Sequence, residues 1–167
     1  MRGLPELCDD GEWHRVNIRK LDAQELLSLT ELFQYNDVAQ MVADCARDIR
    51  NGDIDIFILE EDGELIGELH ALYTHEDTHF AVRGRRTYLF AFRVREDRQG
   101  RGYGTLLLRT VLSTLAADGY TEFIVGVEED NLRAKHMYEA AGFDEWLLRK
   151  HEVYQGDAYA YDLYLKK

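Results

Sequence analysis

Three glycines in five residues, Gly100, Gly102 and Gly104, punctuate Gln99-Gly100-Arg101-Gly102-Tyr103-Gly104. No other stretch of the chain narrows its fold so far. Before it, from Thr87 to Val94, successive apolar residues (Leu89, Phe90, Ala91, Phe92) predict a central strand covered on both faces. After it, Leu108, Val111, Leu112 and Leu115 recur at helical spacing, predicting a helix from near Thr105 to the stop at Gly119. Glycine lets a backbone adopt positive φ and approach a ligand closely. The N–H groups and dipole at a helix N-terminus favour an anion, phosphate above all. Strand, glycine turn and helix together predict an α/β fold with a phosphate-binding turn. The plainer alternative is a tight turn with solvated arginines.

The charge pattern bears on that choice. The net charge of −12 argues against a nucleic-acid binder, which needs a basic footprint. Its distribution is uneven, however. Residues 1–82 carry 6 bases and 19 acids, residues 83–109 carry 8 arginines and 2 acids, and residues 110–167 carry 6 bases and 11 acids. The basic island coincides with the glycine turn, where Arg95, Arg98 and Arg101 are expected to reinforce the anion site. Arg83, Arg85 and Arg86 precede the strand and have no such reason to be there.

The remaining elements alternate in type. Arg15–Arg19 reads as a short strand, and Asp22 with Glu25 as a capping box opening a helix that carries Leu26, Leu29, Leu32 and Phe33. Val38, Met41, Val42, Cys45 and Ile49 mark a second helix, with Cys45 as a small buried hydrophobe. Ile54–Leu59 and Leu65–Tyr73 flank Asp62-Gly63 as a β-hairpin, and residues 74–86 read as a polar loop. Phe123–Val127 is a buried strand, Asn131 caps a helix stopped by Gly142, and strands at Trp146–Val153 and Ala158–Leu165 close the chain. No repeat or linker interrupts 167 residues, a length that suits one domain. Cys8 and Cys45 form no CxxC pair, so neither a disulfide framework nor a metal site is expected. His70, His75, His79, Glu76 and Asp77 match no ligand spacing either. Without a signal segment or an apolar span, a soluble cytoplasmic protein with no membrane partner is expected.

Two familiar phosphate fingerprints fail. A P-loop needs Gly-Lys followed by Ser or Thr, and the Rossmann order G-x-G-x-x-G is absent. Instead, residues 99–104 resemble the acyl-CoA-binding signature of the GNAT superfamily of N-acetyltransferases: Gln or Arg, any two residues, Gly, any residue, then Gly or Ala. Asn131-Leu132-Arg133-Ala134-Lys135-His136-Met137-Tyr138-Glu139-Ala140-Ala141-Gly142-Phe143 is similar to the family's N-x-x-A-x-x-x-Y-x-x-x-G-F region. The resemblance implies one GNAT-like domain over residues 1–167, with a mixed, mostly antiparallel sheet of about seven strands flanked by about four helices.

It also implies roles. Acetyl-CoA would be the co-substrate, with no metal. Backbone N–H groups of Gln99, Gly100, Arg101, Gly102, Tyr103, Gly104 and Thr105 would hold its pyrophosphate. Phe92, Arg93 and Val94 would run beside the pantetheine arm, where one backbone N–H polarises the thioester carbonyl. Asn131 would contact the pantetheine and Tyr138 would protonate the leaving thiolate; two turns apart, they share a helix face. Asn131 serves equally as an N-cap, and Tyr138 as ordinary core.

The general base is harder to place. Some family members carry a glutamate five residues before the asparagine, where this chain has Gly126. Glu128 and Glu68 are candidates by location, although each reads more readily as a solvated surface carboxylate. The acceptor would be a small-molecule or protein amine, and the acidic first half favours a cationic one. A homodimer is compatible with the resemblance. Two other classes stay open: an acyl-CoA-binding sensor without chemistry, and an unrelated phosphate-binding module.

Overall fold

A computed structural model describes Glu6–Leu7 and residues 13–167. Cys8 and the first five residues lie outside the described residues. β1 (Glu6–Leu7) and β2 (Trp13–His14) form a two-residue antiparallel ladder. Next come β3 (Val16–Lys20), a 3-10 helix (Ala23–Glu31), α1 (Val38–Arg50), β4 (Ile54–Glu61) and β5 (Glu64–Leu72). β6 (Arg86–Val94), α2 (Tyr103–Ala117) and β7 (Glu122–Val127) follow. The chain closes with α3 (Leu132–Ala140), β8 (Glu145–Tyr154) and β9 (Asp157–Lys166). Seven strands form one mixed sheet in the order β3-β4-β5-β6-β7-β9-β8, with β6 on β7 parallel. Among the described residues no helix is long and apolar enough to cross a membrane.

The chain packs as two compact units, Met1–His70 with Ala91–Val111, and Ala71–Phe90 with Leu112–Lys167. The first unit is built on β4, buried along nearly its whole length, with Ile56, Ile58 and Leu59 almost fully covered. Burying each such side chain contributes about 1.5–3 kcal/mol. Asp62 (φ 50°) and Gly63 (φ 85°) form the hairpin turn expected from Asp-Gly, and the Asp62 carboxylate accepts from Arg15 N at 2.9 Å. The helix after Asp22 is 3-10 rather than α. Leu26 and Leu29, three residues apart, repeat once per 3-10 turn and are buried. α1 is amphipathic as expected, yet none of its residues is buried; Cys45 is half-buried, with its thiol pushed up to about 11 by desolvation.

The second unit centres on Phe80, Ile124, Tyr161, Leu163 and Leu165, with Tyr88, Leu147, Leu148 and Tyr159 packed against them. β9 pairs antiparallel with both β7 and β8. Gln155 (φ 53°) and Gly156 (φ 91°) make the β8–β9 turn. Arg86, left without a reason by the sequence, donates to Glu122 at 2.7 Å and to the carbonyl of Thr78 at 2.9 Å. Its neighbour Arg85 lies 3.7 Å from the same carboxylate.

The capping box sets an acid-side dependence. Glu25 accepts from Asp22 N at 3.0 Å and from both terminal nitrogens of Arg19 at 2.8 Å. The Arg19 hydrogen bonds, and then the one from Asp22, hold its carboxyl near 2 instead of 4.5. A depressed carboxyl stabilises the fold above its unfolded value, and that contribution is lost as pH falls. The stability difference between wild type and Glu25→Gln should therefore shrink from pH 4.5 to about 2, as read by thermal melts. A constant difference across that window would contradict the assignment.

Candidate active site

The glycine turn lies in the first unit. After β6 a single 3-10 turn (Glu96–Arg98) leads into Gln99, whose side-chain amide donates to Val94 O at 2.9 Å and closes the loop over the strand end. Gly100 (φ 76°) and Gly102 (φ 86°) are left-handed, and a β-carbon on either would meet nothing within 4 Å. The backbone angle, not crowding, calls for glycine there, and the space above the turn is open. Leu106 N donates to Gly102 O at 3.0 Å, so α2 begins at Tyr103, two residues earlier than expected. Its first-turn amides lie outside the helix's own hydrogen-bond ladder, as an anion site requires.

Two of the three arginines expected to reinforce that site are committed elsewhere. Arg95 donates to Asp97 at 2.6 Å and reaches Glu64 at 3.3 Å. Arg98 donates to Glu61 at 2.5 Å and to Asp97 at 2.8 Å. Arg101 is exposed and has no ion pair among the described residues. Of the three, Arg101 is the one whose charge is unmatched in this arrangement. The acids that take the others stand up to 37 residues away in sequence.

β6 differs from its expected coverage too. Thr87 and Leu89 are buried, but residues 90–94 are only half-buried, Phe92, Arg93 and Val94 among them. The parallel ladder on β7 ends at Leu89↔Val125, and Ala91 has φ 49°. For a non-glycine residue that conformation costs about 1–2 kcal/mol, and it turns the strand locally.

Arg93 belongs to a buried cluster of the first unit. Its guanidinium donates to Glu68 at 2.7 Å, lies 3.8 Å from the Phe33 ring centroid and approaches the Tyr35 hydroxyl at 3.4 Å. The second oxygen of Glu68 is 2.6 Å from His70 Nε2. Burial, and then the charge of Glu68, push the Tyr35 phenol up to about 12. Glu68 is fully buried, which overturns its reading as a solvated carboxylate, and both of its oxygens are engaged. Strand parity points the other way, grouping Glu68 with Glu64 and His70 opposite Leu65, Leu69 and Ala71, but β5 is covered on both faces from Leu65 to Ala71.

The second unit carries Asn131 and Tyr138. The Asn131 side chain caps α3 by accepting from Ala134 N at 3.1 Å. Tyr138 is buried, edge-on to Phe143 at 5.6 Å. Desolvation pushes its phenol well above the ordinary tyrosine value, so it stays protonated at neutral pH. Glu128 is exposed, as expected, and its carbonyl accepts from Asn131 N at 3.1 Å. At Gly126 a β-carbon would fall 2.8 Å from the Tyr161 ring and 3.0 Å from the Tyr88 hydroxyl. No carboxylate fits there. The Tyr161 and Tyr159 hydroxyls both donate to Glu152, at 2.5 and 3.2 Å.

The histidine-rich loop is held by ion pairs. Asp77 accepts from Lys150 and from His79, and the Lys150 bond above all keeps its carboxyl well below the usual range. Among the described residues no group of three or more His, Cys, Asp or Glu is arranged to hold a metal ion.

Residues 20–143 match the Acetyltransferase (GNAT) family. Human N-acetyltransferase 8B is 29% identical over 87 residues, which cover 52% of this chain and 37% of that protein. The match thus spans little more than a third of that relative. Among solved structures, a ribosomal-protein-alanine N-acetyltransferase from Brucella melitensis superposes with a TM-score of 0.72 at 18% identity, covering 90% of this chain and 98% of that one. An N-acetyltransferase from Staphylococcus aureus gives 0.71 at 16%, covering 90% and 97%. YncA, a putative acetyltransferase from Salmonella typhimurium solved with its cofactor acetyl-CoA, gives 0.68 at 16%, covering 90% and 92%.

Removing one partner of a buried ion pair leaves the other charge uncompensated. Glu68→Ala should cost about 3–5 kcal/mol in urea unfolding, whereas Glu128→Ala should stay within about 0.5 kcal/mol. Equal effects would contradict the burial contrast.

Proposed function

The chain belongs to the GNAT acetyltransferase family, and from that premise we propose that it transfers an acetyl group from acetyl-CoA to a primary amine by direct attack in a ternary complex. The observation that carries this is the turn: two left-handed glycines opening α2, with open space where β-carbons would stand, inside the family's signature. Backbone amides from Gln99 to Thr105 fit the pyrophosphate, and Arg101 is the side chain left to add charge to it. Phe92, Arg93 and Val94 would line the pantetheine arm, with a backbone N–H in that segment polarising the thioester carbonyl.

When bound, acetyl-CoA supplies an activated thioester. The amine nitrogen would bond to the acyl carbon and the carbon–sulfur bond would break, the thiolate taking the Tyr138 proton. The Tyr138 phenol carries its proton at neutral pH, as that role needs, while burial makes it a weaker acid than a free tyrosine. Asn131, whose side-chain oxygen caps α3, keeps an amide N–H₂ for the pantetheine. The ammonium proton would leave through water toward Glu128, the exposed carboxylate next to β7. No metal takes part in this scheme.

Residues 1–82, at 6 bases and 19 acids, support a cationic acceptor, a small molecule or a protein amine, drawn in electrostatically. We place this activity in the cytoplasm, without membrane or nucleic-acid partners, in a single N-acetyltransferase domain over residues 1–167 that is compatible with a homodimer. The crowding at Gly126 favours one competing reading, an acyl-CoA sensor without chemistry.

Release of free thiol from acetyl-CoA across an amine panel separates the two. Turnover with preference for cationic amines, weakening with salt, is expected; no release with any amine leaves the sensor reading. Tyr138→Phe should then lower kcat by about 10²–10⁴ while CoA affinity holds. Gly102→Glu should abolish thermal stabilisation by CoA, and stabilisation as in the wild type would remove the turn from the site.

A further inference from the structure

We propose that Glu61 is the positioning residue of the glycine turn, a single buried carboxylate that pins both of its stems and thereby sets the affinity for the donor's pyrophosphate. The proposal rests on the acetyl-CoA reading above. Glu61 ends β4 and is 4% exposed. Its Oε2 accepts from Arg98 Nε at 2.5 Å, and its Oε1 accepts from the Tyr103 hydroxyl. Arg98 is the last residue before Gln99-Gly100-Arg101-Gly102, and Tyr103, itself 5% exposed, is the first after it. The loop is therefore tied at entry and exit to the two oxygens of one side chain.

This arrangement answers a problem the glycines create. Two left-handed glycines make the turn possible, but they also give the unbound loop more conformations to lose on binding. Tethering both stems lowers that loss and keeps the amides aimed before the ligand arrives. The carboxylate is suited to the task because it accepts at two oxygens, and its desolvation is offset by a guanidinium and a hydroxyl. Arg98, beside the turn but bound to Glu61 and Asp97, acts on the loop's geometry and not on the phosphates directly. Glutamine at 61 keeps the size but removes the charge, so the Arg98 tie loses its charge assistance and the Tyr103 tie must reverse direction.

The test compares acetyl-CoA with S-acetylpantetheine, which lacks the pyrophosphate, in steady-state thiol release by the full chain. Wild type should show a lower KM for acetyl-CoA than for the truncated donor. Glu61→Gln should raise the acetyl-CoA KM about tenfold, the scale of one charge-assisted hydrogen bond. Its kcat, and its KM for S-acetylpantetheine, should stay near the wild-type values. Tyr103→Phe removes one tie while keeping the Arg98 pair, and should shift the ratio of the two KM values the same way by less. If Glu61→Gln does not fold, that ratio in Tyr103→Phe decides. An unchanged ratio, or an equal rise for both donors, overturns the positioning role. A wild type with no preference between donors overturns the assignment of the turn itself, and this proposal with it.

Discussion

A carboxylate taken out of water must be met by donors, and much of this chain is arranged around that requirement. Glu68 and Glu61 are buried in the first unit, Asp162 in the second, and each is met by an arginine: Arg93, Arg98 and Arg149. Arg86 answers half-buried Glu122 in the same way. Left alone, such charges would each cost several kcal/mol. The cluster of arginines within an acidic chain is then first a structural device. Of the three arginines flanking the glycine turn, Arg101 alone has no ion pair among the described residues, and it stands in the middle of that turn.

This changes the meaning of local charge. Counting residues over a window gave an anion site rich in arginine, but beside the local Asp97 the counterions come from strands distant in sequence. Arg98 and Glu61 are 37 residues apart, and Arg93 and Glu68 are 25 apart. No window used to read a helix or a strand contains both members of such a pair. The elements were legible for the opposite reason, because helix and strand periodicity, Asp-Gly at a hairpin and Asn at a helix cap act over a few residues. The strands of the β4–β5 hairpin, α3 and the closing strands fall within a few residues of their sequence-based bounds. The 3-10 winding after Asp22 and the half-buried state of α1 escaped because tertiary packing decides them. The burial of Glu68 escaped for the same reason, since alternation along β5 sets it opposite Leu65, Leu69 and Ala71 and only tertiary packing covers both faces.

The two halves of the proposed proton traffic sit in opposite surroundings. Tyr138 is enclosed, which holds its proton on. Glu128 stands in water, open to the solvent that would carry the proton away. An acid inside and a base outside divide the labour by solvation, with no need for two tuned side chains in contact.

The packing at Gly126 reaches beyond the present chemistry. Because Tyr161 and Tyr88 fill the space a side chain would enter, a glutamate there would force one of these rings to move. Tyr161 is core, bound to Glu152. An acid at position 126 would thus come at the expense of the packing that holds the second unit together.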